Sequence, residues 1–274
     1  MVDEWFPSNK NELNKLIDFL LSQKVNAERS GQEQREDSPK PLKIQEEFSG
    51  TENLASTKIF RKTEKVSLGI HGIIVPHAGF AYSGEVAGKA YSLLKNKKIK
   101  KAFIFGPSHY VGFKGLASLN NLETPLGKVN IKDNFYQKLG KEHSVQNQIP
   151  FLQRLNKNIE ILPLVVGDIS LKEAGEIAKQ FASEKDVLFV FSSDLSHFFP
   201  YNEAVRRDME TISIIEKLDI KQASRMDACG RMPLLIMMQL CKLKGWKPKL
   251  IEYKNSGDVT GDKNSVVGYA SFAF

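Results

Sequence analysis

The stretch Gly72-Ile-Ile-Val-Pro-His-Ala-Gly79 is a short apolar run that ends in a histidine. Two later stretches repeat the pattern, Ala102-Phe-Ile-Phe-Gly-Pro-Ser-His109 and Val187-Leu-Phe-Val-Phe-Ser-Ser-Asp-Leu-Ser-His197. Runs of β-branched and aromatic residues closed by Gly, Pro or Ser are typical of buried strands in a largely parallel sheet. Residues just past such strands face the crevice in which these sheets bind ligands. We therefore expect three histidines to meet at one edge of the sheet.

The rest of the chain alternates between helical and strand-like patterns. Helices are predicted over 12–21, 83–94, 146–155, 170–182, 203–218 and 233–243, and strands over 159–166, 249–253 and 265–274. The stretch 110–129 is predicted to be an extended loop with a hairpin around Leu126-Gly127. This alternation predicts an α/β fold, a single layered domain whose mostly parallel central sheet is flanked by helices.

The domain is expected to span residues 1–274, interrupted by a polar connection. From about 23 to 66 the composition changes to Glu, Lys, Gln, Ser and Arg with few apolar residues. Such a segment buries little apolar surface, so we expect it to be flexible at least around 31–40. It contains no candidate ligand, and we expect it to contribute little to function.

Charge and hydropathy limit the classes of partner. The chain carries 39 basic and 32 acidic residues, a net charge of +7. Its densest basic cluster, Lys95-Asn-Lys-Lys-Ile-Lys-Lys101, has no aromatic residue for base stacking. We interpret this cluster as a solvated turn and predict no nucleic-acid partner. The apolar cluster 16–21 is too short for a membrane span, so we expect a cytoplasmic protein that does not contact membranes.

The two cysteines, Cys229 and Cys241, are expected to be reduced and to differ in reactivity. Cys229 stands just before a predicted helix and beside Arg231. A helix N-terminus and an arginine would lower the pKa of its thiol and favour the thiolate needed for ligation or nucleophilic attack. Cys241 lies within the helix and is interpreted as core packing.

His77 and His109 are placed as imidazole ligands at strand-to-loop corners would be. An open transition-metal site needs about three protein ligands. The third ligand here need not be a carboxylate, and Cys229 is a candidate. Asp194 and His197 are spaced i, i+3, so the carboxylate could orient the imidazole as a general base.

Three further interpretations concern the histidines and their neighbours. A Ser-His-Asp hydrolase could be built from the same residues, but the chain has no G-x-S-x-G nucleophile elbow. Glu142-His143 is as compatible with a helix cap as with a place in the pocket. His71 is at the opposite end of its strand and is interpreted as structural.

These stretches resemble the Memo family, whose bacterial and archaeal members form component B of the AmmeMemoRadiSam system. The shared motifs occur in the family's order along nearly the whole chain apart from the polar segment: Trp5-Phe-Pro7, Val75-Pro-His-Ala-Gly-Phe-Ala-Tyr-Ser-Gly84, Gly106-Pro-Ser-His109, Glu142-His-Ser144, Ile149-Pro-Phe151, Ser192-Ser-Asp-Leu-Ser-His197 and Cys229-Gly-Arg231.

The resemblance implies a fold similar to that of the class III extradiol dioxygenases, which use non-haem Fe(II). It implies that His77, His109 and Cys229 stand where Memo proteins have their metal ligands. Asp194 and His197 would line the same pocket and carry its chemistry.

His143 and Tyr82 are assigned to the substrate pocket. Two departures stand out. The dioxygenases have a glutamate in place of Cys229, and a softer thiolate favours copper or thiolate-tolerant iron and disfavours aromatic ring cleavage. Gln146 replaces a glutamate that the family usually has.

The leading hypothesis is a Memo-family protein that binds iron or copper through two histidines and one cysteine and is redox-active, a metal-dependent oxidoreductase. The alternative is a non-enzymatic adaptor whose pocket binds a peptide or small molecule. A third hypothesis is a hydrolase that uses Cys229 or a water on the metal. The family's component names also imply a radical-enzyme partner.

Overall fold

A computed structural model of the chain describes residues 5–23, 69–120 and 122–274. From position 24 onward, the polar connection predicted over 23–66 lies outside the described residues.

The elements in chain order are α1 (Lys10–Ser22), β1 (Gly72–Val75), α2 (Phe80–Ser92), β2 (Lys101–Pro107), β3 (Leu116–Leu119), β4 (Glu123–Thr124), β5 (Gly127–Lys128), β6 (Asn130–Ile131), β7 (Gln137–Leu139), α3 (His143–Gln146), α4 (Ile149–Leu155), β8 (Glu160–Val166), α5 (Leu171–Ala182), β9 (Val187–Ser192), β10 (His197–Phe199), α6 (Tyr201–Lys217), a 3-10 helix (Ile220–Arg225), α7 (Arg231–Lys244), β11 (Lys249–Asn255), α8 (Ser256–Thr260) and β12 (Val266–Ala273).

The main sheet is mixed, with a parallel centre. Its strands run in the order β10-β12-β1-β9-β2-β8-β3-β7, and β11 also pairs with β12. The four central strands β1, β9, β2 and β8 are mutually parallel, whereas β12 and β3 pair antiparallel on either side of them. Parallel neighbours end at the same edge, so the loops after β1, β2 and β9 lie side by side. The predicted α/β class is confirmed.

Helices cover both faces of the sheet, which is why its central strands read as continuous apolar runs. Alternation along β1 shows the two faces. Ile74 packs into a cluster with side chains of α5, α6 and α7. Ile73 and Val75 pack into a second cluster with side chains of α1, α2 and α4. No described helix is long and apolar enough to cross a membrane.

Several predicted boundaries needed correction. The helix expected over 146–155 is two helices, α3 and α4, because Pro150 can start a helix but cannot continue one. Part of the loop expected over 110–129 is strand β3, which pairs with β8 and buries Ala117 and Leu119. The hairpin at Leu126-Gly127 is confirmed by the pairing of β4 with β5.

The third histidine-ending run also ends differently. β9 stops at Ser192, and His197 instead begins the separate edge strand β10, which pairs antiparallel with β12. The intervening turn is held by β12, because the amide of Leu195 donates to the carbonyl of Gly268 and the amide of Gly268 to the carbonyl of Ser196. His197 is therefore not at the end of a central strand, as the sequence pattern had indicated.

Candidate metal centre

His77 follows β1 and is almost completely buried, at 2% exposure. The end of β1 pairs in parallel with the end of β9, at Val75 and Ser192. This register brings Ser192 Oγ to 2.9 Å from His77 Nδ1. The His77 amide donates to Asp194 Oδ1 at 2.7 Å. The ring is thus held by the last residue of β9 and the backbone by the loop that follows.

His109 follows β2 and is held by a carboxylate from a distant part of the chain. The His109 amide donates to Glu142 Oε2 at 2.7 Å, and its Nδ1 lies 2.9 Å from Glu142 Oε1. Glu142 is buried and also caps α3 by accepting from the Ser144 amide. The His109 ring is more open than that of His77, with 28% of its side chain exposed.

Cys229 enters the site from the turn before α7. Its Sγ lies 3.2 Å from His77 Nε2 and accepts from the amide of Asp194 at 3.3 Å. Gly230 makes this approach feasible, because its amide donates to Ser193 Oγ and a Cβ at this position would collide with Ser193. Both Cys229 and Cys241 are free thiols, as predicted.

The structure brings the three predicted ligands together. One ligand atom from each of His77, His109 and Cys229 lies within 4.8 Å of the other two. Two imidazole nitrogens and one sulfur form a donor set that suits transition metals. The residues present therefore fit a metal ion. A second group with the same spacing is formed by His109, Glu142 and His143.

The third imidazole at the site belongs to His143 rather than His197. The His143 ring lies 4.4 Å from that of His109 and 5.4 Å from that of His77. Its opposite neighbour is Trp5, whose ring stacks on it at 4.3 Å with an interplanar angle of 10°. The ring contact that the structure gives His197 is with Phe198, at 5.6 Å. Three histidine rings thus come together as expected, but the third is His143 and not His197.

Asp194 contacts the site in a way that the sequence did not predict. Its Oδ1 accepts from the amides of His77 and Ala78, and its Oδ2 lies 4.0 Å from His77 Nε2. The i, i+3 spacing had indicated a carboxylate that orients His197. The hydrogen bonds that the structure gives this carboxylate hold the His77 loop instead, while His197 begins the edge strand β10.

Tyr82 lies on the first turn of α2 and is 47% exposed. Burial raises the pKa of the Tyr269 phenol, and Asp194 and Tyr82 add to this effect, so the three residues lie near one another. His71 stacks on Trp246, in keeping with the structural role predicted for it.

Burial governs the protonation of the site without a metal. It lowers the pKa of His77 to about 4, although the Asp194 carboxylate acts in the opposite direction. Burial also raises the pKa of the Cys229 thiol well above its usual range, and the Asp194 carboxylate adds to this effect. Burial alone would raise the pKa of Glu142, but hydrogen bonds from His109, His143 and backbone amides outweigh it and hold that pKa well below the usual range.

The prediction that Cys229 has a low pKa is therefore wrong for the metal-free protein. The hydrogen bond that the structure gives the Arg231 guanidinium is to the Ser224 carbonyl, at 3.4 Å. The thiol is enclosed instead by His77 and Asp194, which supply no positive charge at neutral pH. A protonated, partly buried thiol is a poor nucleophile, which disfavours the thiol-hydrolase hypothesis.

Sequence reasoning missed the roles of Glu142 and Gly230. Glu142-His143 was weighed as a helix cap or as part of the pocket, and the cap is present. The contact of Glu142 with His109 was not predicted, because it joins residues 33 positions apart in the chain. The one indication in the sequence was its position directly before His143. For Gly230, the indication was its position directly after a candidate ligand.

Comparison with known proteins places this chain in a family. The model of the family described as Memo-like protein matches residues 49–273. The chain belongs to this family.

A MEMO1 family protein of Sulfolobus acidocaldarius is 36% identical to this Memo-like chain over 231 residues, which cover 73% of this chain and 81% of that protein. A second relative, the MEMO1 family protein of Nitrosopumilus maritimus, is 33% identical over 233 residues, covering 75% and 85%. The crystal structure of uncharacterized protein JW3007 from Escherichia coli K12 aligns with a TM-score of 0.46 and 10% identity over 75% of this chain and 100% of that one.

Proposed function

We propose that this Memo-like protein binds one iron or copper ion through His77, His109 and Cys229 and uses it in redox chemistry. The observation that carries the proposal is the convergence of three ligand atoms within 4.8 Å, from three elements far apart in the sequence. Bound iron or copper would supply one-electron chemistry. The thiolate of Cys229 favours these soft or borderline ions over Mg²⁺ or Ca²⁺.

The residues around the ligands supply the remaining functions of such a site. Asp194 Oδ2, 4.0 Å from His77 Nε2, is a carboxylate oxygen at the ligands that can accept a proton. His143 and Tyr82 are proposed to contact the substrate, and Trp5 fixes the ring plane of His143 by stacking. His197 as an acid or base, and the similarity to class III extradiol dioxygenases, remain predictions.

Anaerobic titration of Fe(II) and Cu(I) into the purified full chain tests the proposal. Wild type should bind one equivalent. His77→Ala, His109→Ala and Cys229→Ser should each lose more than the ~10- to 100-fold in affinity that is typical of removing a group behind a ligand. His197→Ala should keep the metal.

His71→Ala is the matched control, because this imidazole stacks on Trp246 away from the site. It should bind like wild type. Unchanged affinity in the three ligand variants would contradict the site. Absence of metal binding by wild type would contradict the proposal and favour the adaptor hypothesis. Measuring peptide binding by the metal-free protein would then test that hypothesis.

A further inference from the structure

Glu142 is a buried carboxylate whose two oxygens are both engaged by one histidine. Oε2 accepts from the His109 amide at 2.7 Å, and Oε1 lies 2.9 Å from His109 Nδ1. Oε1 also accepts from the Ser144 amide at 3.2 Å and lies 3.2 Å from His143 Nδ1. The carboxylate therefore contacts both the backbone amide and the ring of His109.

A carboxylate of this kind determines which ring nitrogen carries the proton. An ionised carboxylate can only accept hydrogen bonds, so a neutral imidazole bonded to it must hold its proton on Nδ1. The lone pair is then on Nε2, the nitrogen available to a metal. We propose that Glu142 is a positioning residue that fixes His109 as its Nδ1–H tautomer and so prepares Nε2 for ligation. The ligation half of this inference rests on the proposed function, whereas the tautomer half does not.

The other imidazole ligand has a different support. His77 Nδ1 faces the hydroxyl of Ser192, which can either donate or accept. Gln148 Nε2 donates to the same hydroxyl oxygen at 3.0 Å. A hydroxyl does not impose one tautomer as a carboxylate does. Removing the charge of Glu142 should therefore change the tautomer of His109 and leave that of His77 unchanged.

Glu142 is held in place by contacts between α3 and the end of β2. It stands at the start of α3, whose Ser144 hydroxyl donates to the carbonyl of Pro107 at 2.7 Å. Gly106 allows α3 to approach the end of β2, since a Cβ at this position would collide with Ser144. The carboxylate and His109 are thereby held to the same strand end.

Nitrogen-15 NMR of metal-free protein labelled at histidine reads the tautomers directly. The five histidines of the chain give separable pairs of ring-nitrogen signals, and His109 is assigned by the pair that disappears in His109→Asn. Wild type should show His109 with its proton on Nδ1. Glu142→Gln should move His109 toward the Nε2–H form and leave the tautomer of His77 unchanged.

Ser144→Ala is the matched control, because it removes the hydrogen bond between α3 and the Pro107 carbonyl but leaves the Glu142 carboxylate unchanged. It should keep the wild-type tautomer. Fe(II) affinity should fall ~10- to 100-fold in Glu142→Gln, as expected when the group behind a ligand is lost, and by less in Ser144→Ala.

Three results would overturn the proposal. One is wild-type His109 in the Nε2–H form, which requires only the assignment variant His109→Asn to fold. Another is a Glu142→Gln protein that keeps the wild-type tautomer. The third is a Ser144→Ala protein that changes as much as Glu142→Gln. Because the tautomer is read without metal, a wild type that binds no iron would contradict the proposed function and leave this test decisive.

Discussion

Gly230 packs against Ser193 with no space for a side chain between them. A Cβ on Gly230 would lie 2.5 Å from the Cβ of Ser193 and 2.6 Å from the carbonyl oxygen of Ser192. The φ angle of Gly230 is −85°, which any residue can adopt. The requirement for glycine is thus one of contact, and it fixes how closely the Cys229 turn approaches the end of β9.

Gly230→Ala should therefore move Cys229 away from His77 and destabilise the fold. Forcing a methyl group into a packed contact costs about 1–3 kcal/mol in the free energy of unfolding. Metal affinity should fall as well, because the sulfur is displaced. Urea unfolding and Fe(II) titration measure the two effects.

Gly175→Ala is the control for this substitution. Gly175 lies within α5, and a Cβ at this position would have its nearest neighbour, on Gln239, 3.7 Å away. Replacing a helical glycine by alanine here should stabilise the protein by roughly 0.5–1 kcal/mol. A Gly230→Ala protein with unchanged unfolding and affinity would show that the turn can relax at no cost.

Metal binding should release a proton from Cys229. The thiol is protonated at neutral pH, because burial raises its pKa, and a metal ligand must be a thiolate. His77 has a pKa of about 4 and is already neutral, so it releases none. Calorimetry with redox-inert Zn(II) in buffers of different ionisation enthalpy should give about one proton per ion. Cys229→Ser should release close to none, and the same result for wild type would refute a protonated thiol ligand.

Stability should fall as the pH is lowered from 6.5 to about 4. The unfolded chain protonates His77 near its ordinary pKa of 6.5, whereas the folded protein resists protonation down to about 4. The unfolded state therefore binds more protons in this window. This lowers the free energy of unfolding by about 3 kcal/mol at the lower end of the window.

Glu142 contributes in a lower window. Its folded pKa is depressed, so its contribution is complete above its ordinary pKa of 4.5 and is lost as the pH falls further. Urea unfolding of metal-free protein at steps between pH 7 and pH 4 measures the His77 effect. His77→Asn should flatten the profile in that window. An equally steep loss in this variant would assign the effect to other groups.

The fluorescence of Trp5 should report metal binding. Trp5 stacks on His143, which in turn contacts His109, whereas Trp246 stacks on His71 at the opposite end of β1. These are the two tryptophans of the chain, so Trp246→Phe leaves Trp5 alone. Cu(II) should quench most of the emission of that variant. Trp5→Phe, which retains Trp246, should be quenched little, and equal quenching of both would contradict the placement of Trp5 at the site.

Local sequence pattern was sufficient for the parts of this protein that depend on burial alone. The apolar runs of β1, β2 and β9 predicted buried parallel strands, because both faces of each strand are covered by helices. It also predicted that His77 and His109 share one edge, because parallel neighbours end together.

Contacts between distant segments could not be predicted in this way. His143 takes the place expected for His197 because α3 packs on the end of β2. His197 lies instead in the edge strand β10, which pairs with β12. The thiol of Cys229 is separated from Arg231 by the direction in which that side chain leaves the helix. These outcomes depend on how elements pack, which neither spacing nor composition records.

The two ligands in direct contact, His77 and Cys229, are 152 residues apart in the chain. An ion shared by them would act as a removable cross-link that closes most of the molecule into one loop. Every tenfold excess of free ion over its dissociation constant would then add about 1.4 kcal/mol to the stability of the whole fold. Metal content would accordingly be a measure of completed folding, since a chain that has not assembled both β1 and the start of α7 has no place to hold the ion.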